Sequence, residues 1–293
     1  MAETAVVTDT TAYLPDDVAD EHGIRRVSLY VTLDGEQRRE SEISGAAYGD
    51  FFDRLRRSVE GATTSQPSVG DFIEVYEPLL DAGSDVVSIH ISSGISGTVE
   101  SARQARQRLI DDGQGGDRVH VVDSRSACGG QGMLAIAAAR AAASGADGEG
   151  AAAAAQEARD ALRMWFAIDT LEYLRKGGRI GAAQAFLGSA LQIKPILTLE
   201  EEITPIERVR TRRRAFERMV DFARERHDDG ADAWVVQHIR DAESARRLVD
   251  EGRQIFGREP LFVSEIGPVI GAHVGPGLLG TGGVPLGALG MSP

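Results

Sequence analysis

Hydroxyl, glycine and ionisable residues gather in three short stretches. Residues 63 to 68 read Thr-Thr-Ser-Gln-Pro-Ser, and 92 to 98 read Ser-Ser-Gly-Ile-Ser-Gly-Thr. Asp9, Thr10 and Thr11 form the third, and His273 stands alone in the glycine-flanked stretch Gly271 to Gly277. Ser and Thr hydroxyls donate hydrogen bonds without bringing a charge. Beside glycines, which let a ligand approach the backbone, they suit a carboxylate or a phosphate. The plain alternative for Ser92 to Thr98 is a tight turn with a Ser or Thr helix cap. For Asp9 it is a cap on the next turn.

The flanking elements decide where such loops can stand. Val86 to Ile91 is a short, partly β-branched apolar run, the pattern of a buried strand. Val99, Ala102, Ala105 and Leu109 follow near helical spacing. The Ser/Gly loop therefore joins a strand's C-terminal end to a helix N-terminus, where free N–H groups and the positive dipole end favour an anion. Open α/β sheets bind ligands at that edge. Ala5–Asp9, Val27–Leu33 and Val119–Asp123 read as further strands. Tyr48, Phe51, Phe52, Leu55 and Val59 share a helix face, with Ser44 as candidate cap. Phe72, Val75, Tyr76 and Leu79 repeat the pattern, and Ala135 to Ala161 reads as two helices. This alternation implies a largely parallel sheet with helices on both faces.

A boundary near Arg163 gives two α/β domains, 1–162 and 163–293. In the second, Trp165–Ile168 is a strand. Ile193–Leu199 and Ile203–Val209 form a hairpin, and helices and strands alternate to Ile266, so a mixed sheet is expected. Lys176-Gly177-Gly178-Arg179 is a basic turn, either solvated or a phosphate or partner contact. Gly271 to Gly277 reads as a loop. Leu278 to Pro285, rich in Gly and Pro, reads as a poor strand.

A net charge of −13 disfavours nucleic acid, which calls for a basic face. With one cysteine, Cys128, no intrachain disulfide forms. Together with the lack of a secretory signal, this makes a cytoplasmic protein the expectation. No apolar run is long enough to span a bilayer, and a monomer is expected.

The ordered motifs Val7-Thr8-Asp9-Thr10-Thr11, Thr64-Ser65-Gln66-Pro67-Ser68, Ser92 to Thr98, Val122-Asp123-Ser124, Lys176 to Ile180, Ile193 to Ile196, Arg210-Thr211 and Gly271 to Gly277 resemble the DegV family of fatty-acid-binding proteins. That family includes the FakB subunits that present fatty acids to a bacterial fatty acid kinase. The resemblance implies a buried long-chain fatty acid, such as palmitate, with its tail in the first domain and its head group near the domain junction. The family's carboxylate contacts map onto Thr64, Ser96 and His273. Asp9, Thr10, Thr11 and Ser93 are secondary head-group candidates, and Arg210 maps onto the contact with a FakA-like kinase partner. A carrier without catalytic residues, metal or cofactor follows, acting in lipid transport or fatty acid metabolism. Transient membrane contact stays open. The rival readings are a serine-dependent acyl hydrolase using Ser96, His273 and Asp9, and a phosphate-handling enzyme. The loop lacks the second glycine of a nucleophile elbow, and no Walker lysine motif is present.

Overall fold

The computed structural model describes residues 3–43, 45–187 and 193–292. Ser44, read above as a cap, lies outside them. The chain begins with β1 (Thr4–Asp9), α1 (Asp16–Glu21), β2 (Arg25–Val27), β3 (Tyr30–Leu33) and β4 (Glu36–Arg39). It continues through α2 (Tyr48–Arg57), β5 (Ala62–Ser65), α3 (Val69–Asp81), β6 (Asp85–His90), α4 (Thr98–Asp111) and β7 (Val119–Asp123). Next come α5 (Cys128–Ala143), α6 (Gly148–Ala161), β8 (Arg163–Ala167), α7 (Glu172–Gly177), β9 (Lys194–Leu199) and β10 (Ile203–Val209). The last elements are α8 (Arg212–Asp228), β11 (Ala233–His238), α9 (Ala242–Phe256), β12 (Phe262–Glu265), α10 (Pro268–Val274) and β13 (Leu279–Val284).

Two compact units result. The first holds the chain up to Leu29, Gln66–Leu162 and the stretch from Pro285; the second holds Tyr30–Ser65 and Arg163–Val284. This grouping differs from a contiguous split into 1–162 and 163–293 in two places. The apolar run Val27–Leu33, expected as one strand, breaks at Ser28 and Leu29. β2 then pairs with β1, whereas β3 pairs with β4 and β5. At the other end, Arg140 donates to Leu289 O at 2.8 Å and ties the last residues to the first unit.

In the first unit the sheet order is β2-β1-β6-β7, with every pairing parallel. Val6 and Val7, like Val86 and Val87, are all buried, so both faces are covered. Phe72, Tyr76 and Leu80 of α3 and Ala102, Ala105 and Leu109 of α4 pack on Val7, Val27, Val86 and Val119. α3 starts at a capping box: Ser68 Oγ accepts from Asp71 N, and Asp71 Oδ2 accepts from Ser68 N.

The second unit holds an antiparallel sheet β4-β3-β5 and a mixed sheet β10-β9-β8-β13-β11-β12, in which only β11 and β12 run parallel. Thr63 to Ser65, read as part of a turn, are strand residues of β5. α2 buries Phe51, Phe52 and Leu55, but Val59 falls beyond its end and is 90% exposed. His273 sits on the last turn of α10 rather than in a loop.

The Gly-rich segment expected to make a poor strand is instead β13, fully buried between β8 and β11. Its glycines allow close backbone approach. A Cβ on Gly282 would stand 2.3 Å from Arg163 O, and one on Gly283 would stand 2.6 Å from Ala233 O. Gly282→Ala is therefore expected to destabilise the protein by about 1–3 kcal/mol through overpacking. A urea midpoint equal to that of the unchanged chain would contradict this account of the strand.

Candidate functional site

At the C-terminal end of β1, Asp9 is fully buried. Its Oδ2 accepts from His90 Nδ1 at 3.0 Å and from Ile91 N at 3.1 Å. Its Oδ1 accepts from Thr11 N at 3.0 Å and from the Thr11 hydroxyl. Burial, the largest influence, raises the Asp9 carboxyl. The His90, Thr11 and Ile91 hydrogen bonds outweigh it and hold the group below the ordinary carboxylate range. Both oxygens are thus committed within the first unit. Thr10 is half-buried, and its hydroxyl oxygen accepts from Leu29 N at 3.3 Å.

The loop between β6 and α4 starts from Ser92, whose N–H donates to Ser126 O at 2.8 Å. Ile95 N and Ser96 N then donate to Ser92 O at 3.2 and 3.1 Å, which closes a turn. Ser96 is half-buried. Its Oγ lies 2.8 Å from Thr98 Oγ1 and accepts from Thr98 N. Ser93 is exposed, and both its N–H and its hydroxyl donate to Asp123.

The second unit brings together two residues 209 positions apart: Thr64 Oγ1 lies 2.7 Å from His273 Nε2. β5 carries the threonine and α10 the histidine. The ring is 8% exposed, and its Nδ1 has no hydrogen-bond partner among the described residues. Burial first, and then the charge of Arg179, push the His273 imidazole down to about 4, so it is neutral at neutral pH. Gly177 makes room for it, because a Cβ there would stand 2.3 Å from Nδ1.

Thr64 and His273 line a cavity of about 240 Å³ with Arg56, Tyr173, Lys176 and Arg179. Pockets that take a whole small molecule run to roughly 300–1,000 Å³ and are mostly apolar. This smaller, polar-lined space fits a head group. The basic turn Lys176–Arg179 belongs to its wall: Lys176 pairs with Glu172 at 3.3 Å, and Arg179 donates to Gly177 O at 2.7 Å. Sequence reading singled out the basic turn but did not place it beside His273, because spacing along the chain carries no sign of that approach. Arg210 is exposed just beyond β10, while Arg212 pairs with Asp169, and Arg213 and Arg214 pair with Glu217.

The family model described as "Uncharacterised protein, DegV family" matches residues 3–285. The chain belongs to the DegV family. Protein DegV of Bacillus subtilis is 36% identical over 279 residues, covering 94% of this chain and 97% of that one. A DegV domain-containing protein of Streptomyces coelicolor is 40% identical over 281 residues, covering 94% and 96%. Among solved structures, a DegV family protein from Thermus thermophilus, described by its fatty acid binding, superposes with a TM-score of 0.85 at 35% identity. It covers 97% of this chain and all of the other. DegV of Bacillus subtilis, described as a fatty acid binding protein, gives 0.85 at 34% identity over 96% and 99%. The two α/β units with a parallel and a mixed sheet are thus the DegV fold. Among the described residues no helix is long and apolar enough to cross a membrane.

The cavity in the second unit carries a hydroxyl and a neutral imidazole, with Arg56, Lys176 and Arg179 at its wall. Such donors hold an anion without a buried countercharge. A Ser–His–Asp line does exist in this chain, but it runs Ser88–His90–Asp9, with all three side chains fully buried.

Proposed function

We propose that this DegV protein binds a long-chain fatty acid, such as palmitate, as a carrier rather than an enzyme. Thr64 and His273 receive the carboxylate in the second unit. Ser96, matched through the family motif, supplies a further hydroxyl, and Thr10 stands as a secondary contact. Asp9, Thr11 and Ser93 act as supports for their loops instead of ligand contacts, in keeping with their hydrogen bonds to His90, Ile91 and Asp123. The observation that carries the reading is the 2.7 Å Thr64–His273 pair in a head-group-sized cavity. Solved relatives described as fatty acid binding support it.

Burying a tail of roughly fourteen methylenes contributes about 11 kcal/mol gross at ~0.8 kcal/mol each. Each charge-assisted hydrogen bond to the head adds about 1.5–3 kcal/mol before desolvation. The tail therefore sets affinity and the hydroxyls set register. A carboxylate held by neutral donors remains open to chemistry by a second protein, in keeping with presentation to a fatty acid kinase. Exposed Arg210 serves as the contact residue in this reading, in the cytoplasm and with a monomeric carrier.

Organic extraction of the purified protein followed by mass spectrometry is expected to yield a C16–C18 acid. A phosphorylated metabolite in its place would overturn the reading. Thr64→Ala and Ser96→Ala should each weaken palmitate binding by about tenfold, the loss of one such bond. Full affinity in both variants would remove the head-group assignment.

A further inference from the structure

A line of buried polar side chains in the first unit is left over once the head group has its donors. Tyr76 Oη lies 2.6 Å from Ser88 Oγ, and Ser88 Oγ lies 2.6 Å from His90 Nε2. His90 Nδ1 lies 3.0 Å from Asp9 Oδ2. All four residues are 0% exposed. Phe72 meets the His90 ring edge-on at 4.9 Å, so the ring is packed as well as bonded.

Counting protons fixes the direction of the line. The Asp9 carboxylate only accepts, so His90 carries its hydrogen on Nδ1. Nε2 then accepts from the Ser88 hydroxyl, and Ser88 Oγ accepts from Tyr76. In this arrangement each hydrogen along the line has an acceptor.

The other end of the line reaches the Ser/Gly loop. Asp9 Oδ2, oriented by His90, also accepts from Ile91 N, the residue before Ser92. Ser92 O in turn receives the N–H groups of Ile95 and Ser96. One carboxylate oxygen thus pins the start of the turn that carries Ser96, while the other pins Thr11.

We propose that His90 is a positioning residue for Ser96: braced by Ser88 and Tyr76, it orients the Asp9 carboxylate that fixes the start of the Ser92–Ser96 turn. This rests on the reading of Ser96 as a head-group donor. His90 touches no ligand itself. Its effect should fall on recognition of the carboxylate and leave tail burial alone.

The test compares binding of palmitate with binding of methyl palmitate, which has the same tail and no carboxylate. The intact chain and Ser96→Ala provide the references: a preference for the acid that shrinks in Ser96→Ala is expected. Asparagine can place its amide N–H near the position of Nδ1, whereas glutamine reaches toward Nε2. His90→Asn should therefore keep most of the acid preference, and His90→Gln should lose about five- to tenfold of it, with ester affinity held within about twofold. Equal preference in the two amide variants, or parallel loss of acid and ester binding, would overturn the inference. Should His90→Gln fail to fold, Ser88→Ala, which removes the brace behind the ring, gives the same readout: a reduced acid preference supports the inference and an unchanged one overturns it. If the intact chain shows no preference for the acid, the head-group reading of Ser96 itself falls, which is separable from a preference that is present and indifferent to His90.

Discussion

Asp9→Ala is expected to destabilise the protein by at least about 3 kcal/mol, because it leaves four buried hydrogen-bond donors without an acceptor at about 1–3 kcal/mol each. The change strands His90 Nδ1–H, Ile91 N–H, Thr11 N–H and the Thr11 hydroxyl in a region without solvent. Guanidinium denaturation measures it directly. A loss below about 1 kcal/mol, the scale of a single neutral hydrogen bond, would mean that the carboxylate does not bridge the two loops. The native carboxyl lies below its ordinary value, so this stabilisation is present above the unfolded pKa. It is lost as pH falls through the lower folded one. The pH dependence that Asp9 contributes is thus confined to acid solution, and its stabilisation is fully present at neutral pH.

His273 acts in a different window. In the unfolded chain the imidazole takes up its proton near 6.5, whereas in the folded protein it does so only near 4. Between those values the unfolded state binds more protons, so stability rises with pH across the interval and is lost as pH falls. The change from pH 7 to pH 4 should cost about 3 kcal/mol from this side chain alone. Denaturation midpoints taken across that range should show the slope in the intact chain and a flatter profile in His273→Gln. Identical profiles would indicate that the ring is solvated or already charged at neutral pH. Above pH 6.5 the neutral ring adds no pH dependence, so palmitate binding there should be governed by the ligand's own carboxyl.

Much of the scaffold was legible because it is written in local patterns. The apolar run Val86 to Ile91 and the spacing of Val99, Ala102, Ala105 and Leu109 mark β6 and α4, and the turn between them needs small polar residues. The spacing of Phe72, Val75, Tyr76 and Leu79 marks α3, while its capping box at Ser68 and Asp71 emerges only in the structure. Two features ran against local pattern. Val27 to Leu33 reads as one strand, and its division between two sheets follows from partners at β1 and β5 that no window around it contains. β13 breaks strand propensity because its neighbours come too close for side chains, a demand visible only once Arg163 and Ala233 lie beside it.

The order and chemistry of the motifs pointed, without any coordinates, to the DegV family and its α/β fold, and picked out the hydroxyl-bearing stretches as candidates for an anion site. Those are properties of residue type and short-range spacing. Tertiary structure alone decided that Thr64 meets His273, that Lys176 and Arg179 wall the same cavity, and that Asp9 turns inward to His90. Each of these depends on a pairing across long stretches of chain, set by which apolar faces bury one another. Periodicity along the chain specifies those faces but not their partners.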